Sequence, residues 1–156
     1  MTATAHALVG AVIATKFVNP FVGYPAAFAS HFLMDAIPHW DFGTNWRKKS
    51  RLRLFIESTI DVVVGFALVF VLFRNLVDPV YLWSMVVMAQ LPDWLEVPAW
   101  YFNFKVPPFS WAQDFQDFIH HRLALPWGLA VQGVVVVMVL WALSFTPVGP
   151  LLAQVF

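Results

Sequence analysis

Apolar residues run along this chain in long blocks, separated by short polar or proline-containing breaks, and the block lengths predict helices. The first block, Ala3 to Val18, is closed by Asn19-Pro20, a turn dipeptide that predicts a tight reversal. The second, Phe21 to Ile37, ends at Pro38, which lacks a backbone donor and disfavours helix in the residue before it. Together they read as a short helical hairpin. After the polar loop Asp41 to Arg53 comes Leu54 to Leu76, which has full membrane length, since a ~30 Å hydrocarbon core takes about 20 helical residues. Asn75 to Pro79 turns the chain into Val80 to Leu91; Pro92 and Pro98 then interrupt an aromatic stretch reaching Trp111, so a helix end is expected near Pro92. Ser110 is placed to cap a short interfacial helix through Arg122, with Trp111, Phe115, Phe118, Ile119 and Arg122 on one stripe. A last apolar block, Leu125 to Phe145, reads as a span ended by Thr146 to Pro150. The fold expected is all-α: a polytopic transmembrane helix bundle of about five membrane helices, including the N-terminal hairpin, plus one interfacial helix, in a single domain over residues 1–156.

Composition points to the same solvent. Hydrophobic residues make up 60% of the chain and charged residues 12%, where soluble domains carry about 25% charged. Five of the nine basic residues, Arg47, Lys48, Lys49, Arg51 and Arg53, lie in one loop. Lysine and arginine in short loops stay on the cytoplasmic side, so this loop and the N-terminus are expected in the cytoplasm and Phe156 outside, in a multi-pass inner-membrane protein. Trp40, Trp46, Trp94, Trp100, Trp111 and Trp127 would then mark the cytoplasmic boundary. Met1 to Phe17 has no basic leader and no cleavage site, and is not read as a signal peptide. With no cysteine, any metal must be held by imidazole and carboxylate.

That topology gathers the ionisable residues. His6 lies at the start of the first span, His31, Asp35, His39 and Asp41 at the end of the second, Glu57 and Asp61 at the start of the third, and Asp93 and Glu96 at the end of the fourth, all at one level. A charge in hydrocarbon costs about 2.5–3.5 kcal/mol on insertion scales, so such residues face partners, water or ions. His31 and Asp35 are four apart, as are Glu57 and Asp61, and each pair shares a helix face at ligand-pair spacing. Past the break at Pro38, His39 and Asp41 can turn back to the same helix end. The set suits a divalent metal, zinc first, with manganese or iron as alternatives.

Blander readings stand beside these. His31 with Asp35 can be an intramembrane ion pair that fixes packing, Glu57 and Asp61 can hydrogen-bond between helices, and Asp93 and Glu96 can flank a helix end. His120 and His121, at the edge of the interfacial helix, are expected to be solvated surface residues. The basic loop obeys the positive-inside rule and would also draw anionic lipid.

The start Thr2-Ala3-Thr4-Ala5-His6, the helix motif Ser30-His31-Phe32-Leu33-Met34-Asp35 and the element Leu91-Pro92-Asp93 resemble motifs of the small prokaryotic inner-membrane proteins known as membrane-bound metal-dependent hydrolases. The resemblance implies that His6, His31, Asp35 and Asp93 are metal ligands. The function expected is therefore a membrane-embedded, metal-dependent hydrolase at the cytoplasmic leaflet, acting on an ester or phosphoester of a lipid-borne substrate. Glu57 or Asp61 would take the proton from water as catalytic base. Membrane lipids are the expected partners, with no nucleic acid. Two other classes remain: a non-enzymatic membrane component whose polar cluster fixes packing or binds a partner, and a proton or cation transporter. The third and last blocks are almost purely apolar beyond Asp61 and Gln132, which disfavours the transporter.

Overall fold

In the computed structural model, residues 1–145 are described, and among them the regular elements are all helical. They are α1 (Ala3–Lys16), α2 (Pro20–Asp35), α3 (Arg51–Phe73), α4 (Pro79–Phe102), α5 (Phe109–Ile119) and α6 (Trp127–Phe145), with a 3-10 turn at Trp46–Lys48. The expected stop at Thr146 to Pro150 and the side on which Phe156 lies fall outside the described residues.

Small residues decide where α1 goes. It carries alanine at 3, 5, 7, 11 and 14 and glycine at 10, is buried along most of its length, and packs against α2, α3, α4 and α6. Small residues let helix backbones approach closely, and that approach supplies van der Waals contact along α1. A Cβ at Gly10 would stand 2.8 Å from Ala89 Cβ on α4, and one at Gly65 of α3 would stand 2.9 Å from Thr4 Cα. Both neighbours of α1 thus lean directly on its backbone, with Leu82, Met85 and Val86 of α4 completing the core.

The outer surface is apolar. Ile60, Val63, Val71 and Leu72 of α3 and Val137, Met138 and Trp141 of α6 are all more than half exposed, the reverse of a water-facing helix surface. Among the described residues, α3 is the one helix both long and apolar enough to cross a membrane; α1 and Trp127–Ala142 within α6 are apolar but shorter.

Boundaries in three helices differ from expectation. The fourth helix does not end near Pro92 but continues through Pro92 and Pro98 to Phe102. An interior proline costs a helix about 3 kcal/mol, and packing against α1, α2 and α5 holds α4 together across that loss. The third helix starts inside the basic loop, at Arg51, because the Ser50 side chain accepts from Arg53 N at 3.2 Å and caps it there. The helix expected from Ser110 to Arg122 forms as α5, but Pro108 precedes it without a side-chain cap and Arg122 lies past its end. Trp111, Phe115 and Phe118 are exposed on one face while Gln116 is buried on the other.

Candidate metal centre

One carboxylate organises the polar cluster. Asp35, at the last residue of α2, is fully buried. Its Oδ1 lies 3.1 Å from His6 Nε2 on α1 and 3.8 Å from His39 Nε2 in the loop after Pro38. Its Oδ2 lies 3.1 Å from both His31 Nε2, one turn back on α2, and His120 Nε2, just past α5. Asp93, on α4 beside Pro92, brings Oδ1 to 3.4 Å from His31 Nε2. The groups fall into two triads whose ligand atoms lie within 4.8 Å of one another: His6, His31 and Asp93, and Asp35, His39 and His120. Asp35 adjoins both. The rings of His6 and His31 stack with centroids 4.0 Å apart.

Backbone pairing delivers the second triad. His39 N donates to His121 O at 3.0 Å, and Leu123 N donates to His39 O at 2.7 Å, a short bridge that lays the segment after α2 against the segment after α5. The rings of His39 and His120 then stand 5.2 Å apart. Arg122, on the same segment, donates from Nε to Asp41 Oδ2 at 3.1 Å.

Hydrogen bonding fixes which imidazole nitrogens are free. His31 Nδ1 donates to the carbonyl of Ala89 at 2.8 Å, and His39 Nδ1 to that of Ile37 at 2.7 Å. In a neutral ring this leaves a lone pair on each Nε2, the arrangement in which metal-ligating histidines are held. The lone pair of His39 faces Asp35, whereas that of His31 accepts from Gln116 Nε2 at 2.8 Å beside Asp35. Despite their short distances, His39 Nε2 and Asp35 Oδ2 have no hydrogen-bond partner, and His6 Nδ1 and Gln116 Oε1 are also buried without one. Buried polar atoms without partners are costly. Lone pairs converging on a carboxylate need a cation or a proton between them. The amino group of Met1 also contacts Oδ1, but burial pushes it down to about 5 and so favours the uncharged amine.

Outside the helices, the electrostatics keep the imidazoles neutral and the carboxylate charged. Burial pushes His120 down to about 4 and lowers His39. Burial would raise Asp41, but the His39 ring beside it and the charge of Arg122 outweigh that and hold this carboxyl well below its usual range. Neutral imidazole beside ionised carboxylate is the protonation state in which both bind metal.

The predicted residues thus divide. His6, His31, Asp35, His39 and Asp93 are brought together in the two triads, and Asp41 stands at their edge, 3.7 Å from His39 Nε2 and 3.9 Å from His120 Nε2. Glu57 and Asp61, expected as the base, are engaged elsewhere. Glu57 pairs with Lys49 at 2.6 Å and Arg53 at 2.7 Å. Asp61 accepts from Ala3 N at 2.6 Å, Thr4 N at 3.1 Å and Thr4 Oγ1 at 2.7 Å, capping α1 from a neighbouring helix. His120 corrects the expectation of a surface residue: its side chain is 5% exposed and against Asp35, because the bridge to His39 draws it in. Exposed His121 fits that expectation and bonds locally to Ile119 O. Gln116, whose Nε2 lies 2.8 Å from His31 Nε2, was not legible as a site residue, though a glutamine among the aromatics of an amphipathic helix was the available signal.

A cavity of about 360 Å³ opens beside the cluster, with Asp41, Asp93, His120 and Arg122 in its wall. Compared with protein-family models, curated proteins and solved structures, the chain matches none.

Proposed function

We propose that this chain is a multi-pass membrane protein that binds two divalent metal ions on either side of Asp35 and uses them to hydrolyse an ester or phosphoester at the cytoplasmic face. The observation that carries the reading is the convergence of four imidazoles on one buried carboxylate whose Oδ2 has no hydrogen bond. If the cluster served packing alone, those unpartnered atoms would be a standing cost, and a buried ion pair is seldom stabilising without full hydrogen bonding. His6, His31 and Asp93 would hold one ion, His39 and His120 the other, with Asp35 shared. The donor set, imidazole and carboxylate without thiolate, fits zinc, manganese or iron. A bound divalent ion supplies Lewis-acid polarisation and brings the pKa of water to about 7. Asp93, 29% exposed and on the cavity wall, is better placed than Glu57 to accept a proton at that wall. Arg122, tied to Asp41, supplies positive charge there. The likeness of the His6, Ser30 to Asp35 and Leu91 to Asp93 motifs to membrane-bound metal-dependent hydrolases supports the same reading.

The basic loop and the N-terminus are placed in the cytoplasm by the positive-inside rule, with α3 crossing and α1, α2, α4 and α6 as the other membrane helices. Elemental analysis of detergent-purified protein should find about two metal ions per chain, one for each triad. A screen of aryl esters and aryl phosphates should find turnover that a chelator abolishes and added metal restores. Protein without metal after purification and reloading would overturn the reading, as would turnover indifferent to chelation.

A further inference from the structure

The cavity has two unlike ends. Its inner end is the metal cluster, with Asp41, Asp93, His120 and Arg122; its flanks are apolar, formed by Val62 and Val63 of α3 and Trp94 and Val97 of α4. Both α3 and α4 lean on α1 through close contacts, yet they part from each other beside the site. Ring contacts close the gap at its two ends. Phe66 stacks on Trp83 with centroids 5.2 Å apart, and Phe55 meets Tyr101 edge-on at 6.1 Å toward the basic loop. Between these contacts Val63 is 61% exposed and Trp94 and Val97 are each 38% exposed, so the opening lies on the same flank as the apolar outer face of α3.

We propose that this opening is a lateral window through which a phosphate-headed lipid enters from the cytoplasmic leaflet, its acyl chains remaining between α3 and α4 while the phosphate reaches Arg122 and the metal cluster. The inference rests on the metal reading above, because Asp41, Asp61, Asp93 and Glu96 also line the cavity and would repel a phosphate in the absence of cations. Arg122 favours phosphate over a neutral ester. Its hydrogen bond to Asp41 uses Nε alone, which leaves the terminal nitrogens for an anion, and guanidinium matches phosphate oxygens in a fork. A volume of about 360 Å³ is at the small end for ligand sites, enough for a head group and the first part of a chain whose remainder stays in the bilayer. On a phosphate monoester of diacylglycerol, water would add to phosphorus as the bond to the glycerol oxygen breaks. That oxygen takes the proton, releasing diacylglycerol and inorganic phosphate.

The test is photolabelling of the full chain in phosphatidylcholine nanodiscs by a phosphatidate carrying a diazirine in its acyl chain. Label is expected on the α3 and α4 segments around Val62 and Val97, competed by unlabelled phosphatidate and not by phosphatidylcholine or inorganic phosphate. Thr59→Trp on α3 and Val97→Trp on α4, at two residues of the cavity lining that belong to neither triad, should each cut labelling at least about tenfold, or about 1.4 kcal/mol. Metal content should stay unchanged in both. Label spread equally over α6, equal competition by phosphatidylcholine or by inorganic phosphate, or undiminished label in both variants would overturn the window. Metal and aryl phosphatase activity without window label would sink the lipid path and leave the hydrolase. Phosphatidate-specific label on a protein that never binds metal would sink the hydrolase and keep the window.

Discussion

Replacing His120 by alanine separates the structure's account of the site from the one that the linear pattern favours. The imidazole stands 3.1 Å from Asp35 Oδ2 and 3.9 Å from Asp41 Oδ2, and it is one of three ligand groups in its triad. Its loss leaves Asp35 and His39, too few to hold an ion against water, while His6, His31 and Asp93 are untouched. Partners that merely orient metal ligands are worth 10–100-fold in affinity, so a direct ligand should cost at least about 100-fold, close to 2.7 kcal/mol. Metal content should therefore fall from about two ions per chain to about one. The fold should persist, because the backbone bonds that pin this segment, His39 N to His121 O and Leu123 N to His39 O, do not involve the side chain. Elemental analysis of purified wild type, His120→Ala and His121→Ala reads the result, with helicity measured on the same samples. His121 is exposed and is expected to be silent. Equal metal in wild type and His120→Ala, or equal loss in His120→Ala and His121→Ala, would refute the two-triad arrangement.

Asp35→Asn, which removes the shared charge but keeps the shape, should lose both ions where His120→Ala loses one; retention of a single ion would show that the triads do not depend on a common carboxylate. Asp61→Asn should leave metal content unchanged and lower thermal stability by about 1–3 kcal/mol, since three donors at the start of α1 rely on that carboxylate; metal loss at unchanged melting temperature would assign it to the site instead. With His120 pushed from 6.5 to about 4 by burial, the folded state binds fewer protons than the unfolded one across that window. Metal-free protein should therefore lose stability as pH falls from about 6.5 toward 4, a decline read by denaturation midpoints and weakened in His120→Ala; a midpoint flat over that range in wild type would contradict the burial of this ring.

What the linear pattern revealed and what it hid follow from the range of the interactions. The pair His31 and Asp35 was legible because helix geometry alone puts residues four apart on one face. The turn at Asn19-Pro20 and the apolar α3 were legible for the same local reason. The extent of α4 was not, because a proline forecasts a break and only packing by other helices overrides it. Spacing misled at Glu57 and Asp61. They share a face as expected, but Lys49 and Arg53 capture the first and the backbone of α1 captures the second.

His120 was hidden for the strongest reason, since its place depends on two backbone hydrogen bonds between segments that are distant in sequence. Nothing within reach of a local pattern distinguishes it from His121, its neighbour. The bridge does so by geometry: His39 pairs with the backbone at His121 and Leu123, which leaves the side chain of His121 outside and turns that of His120 toward Asp35. The break at Pro38 therefore has a purpose beyond ending α2. By stopping the helix it frees the backbone N–H and carbonyl of His39 to pair across to the α5 segment, and that pairing completes the second triad. In the membrane protein proposed above, a helix end of this kind is where unsatisfied backbone groups and ligand side chains would be gathered together, because groups left unpaired within the bilayer would face lipid.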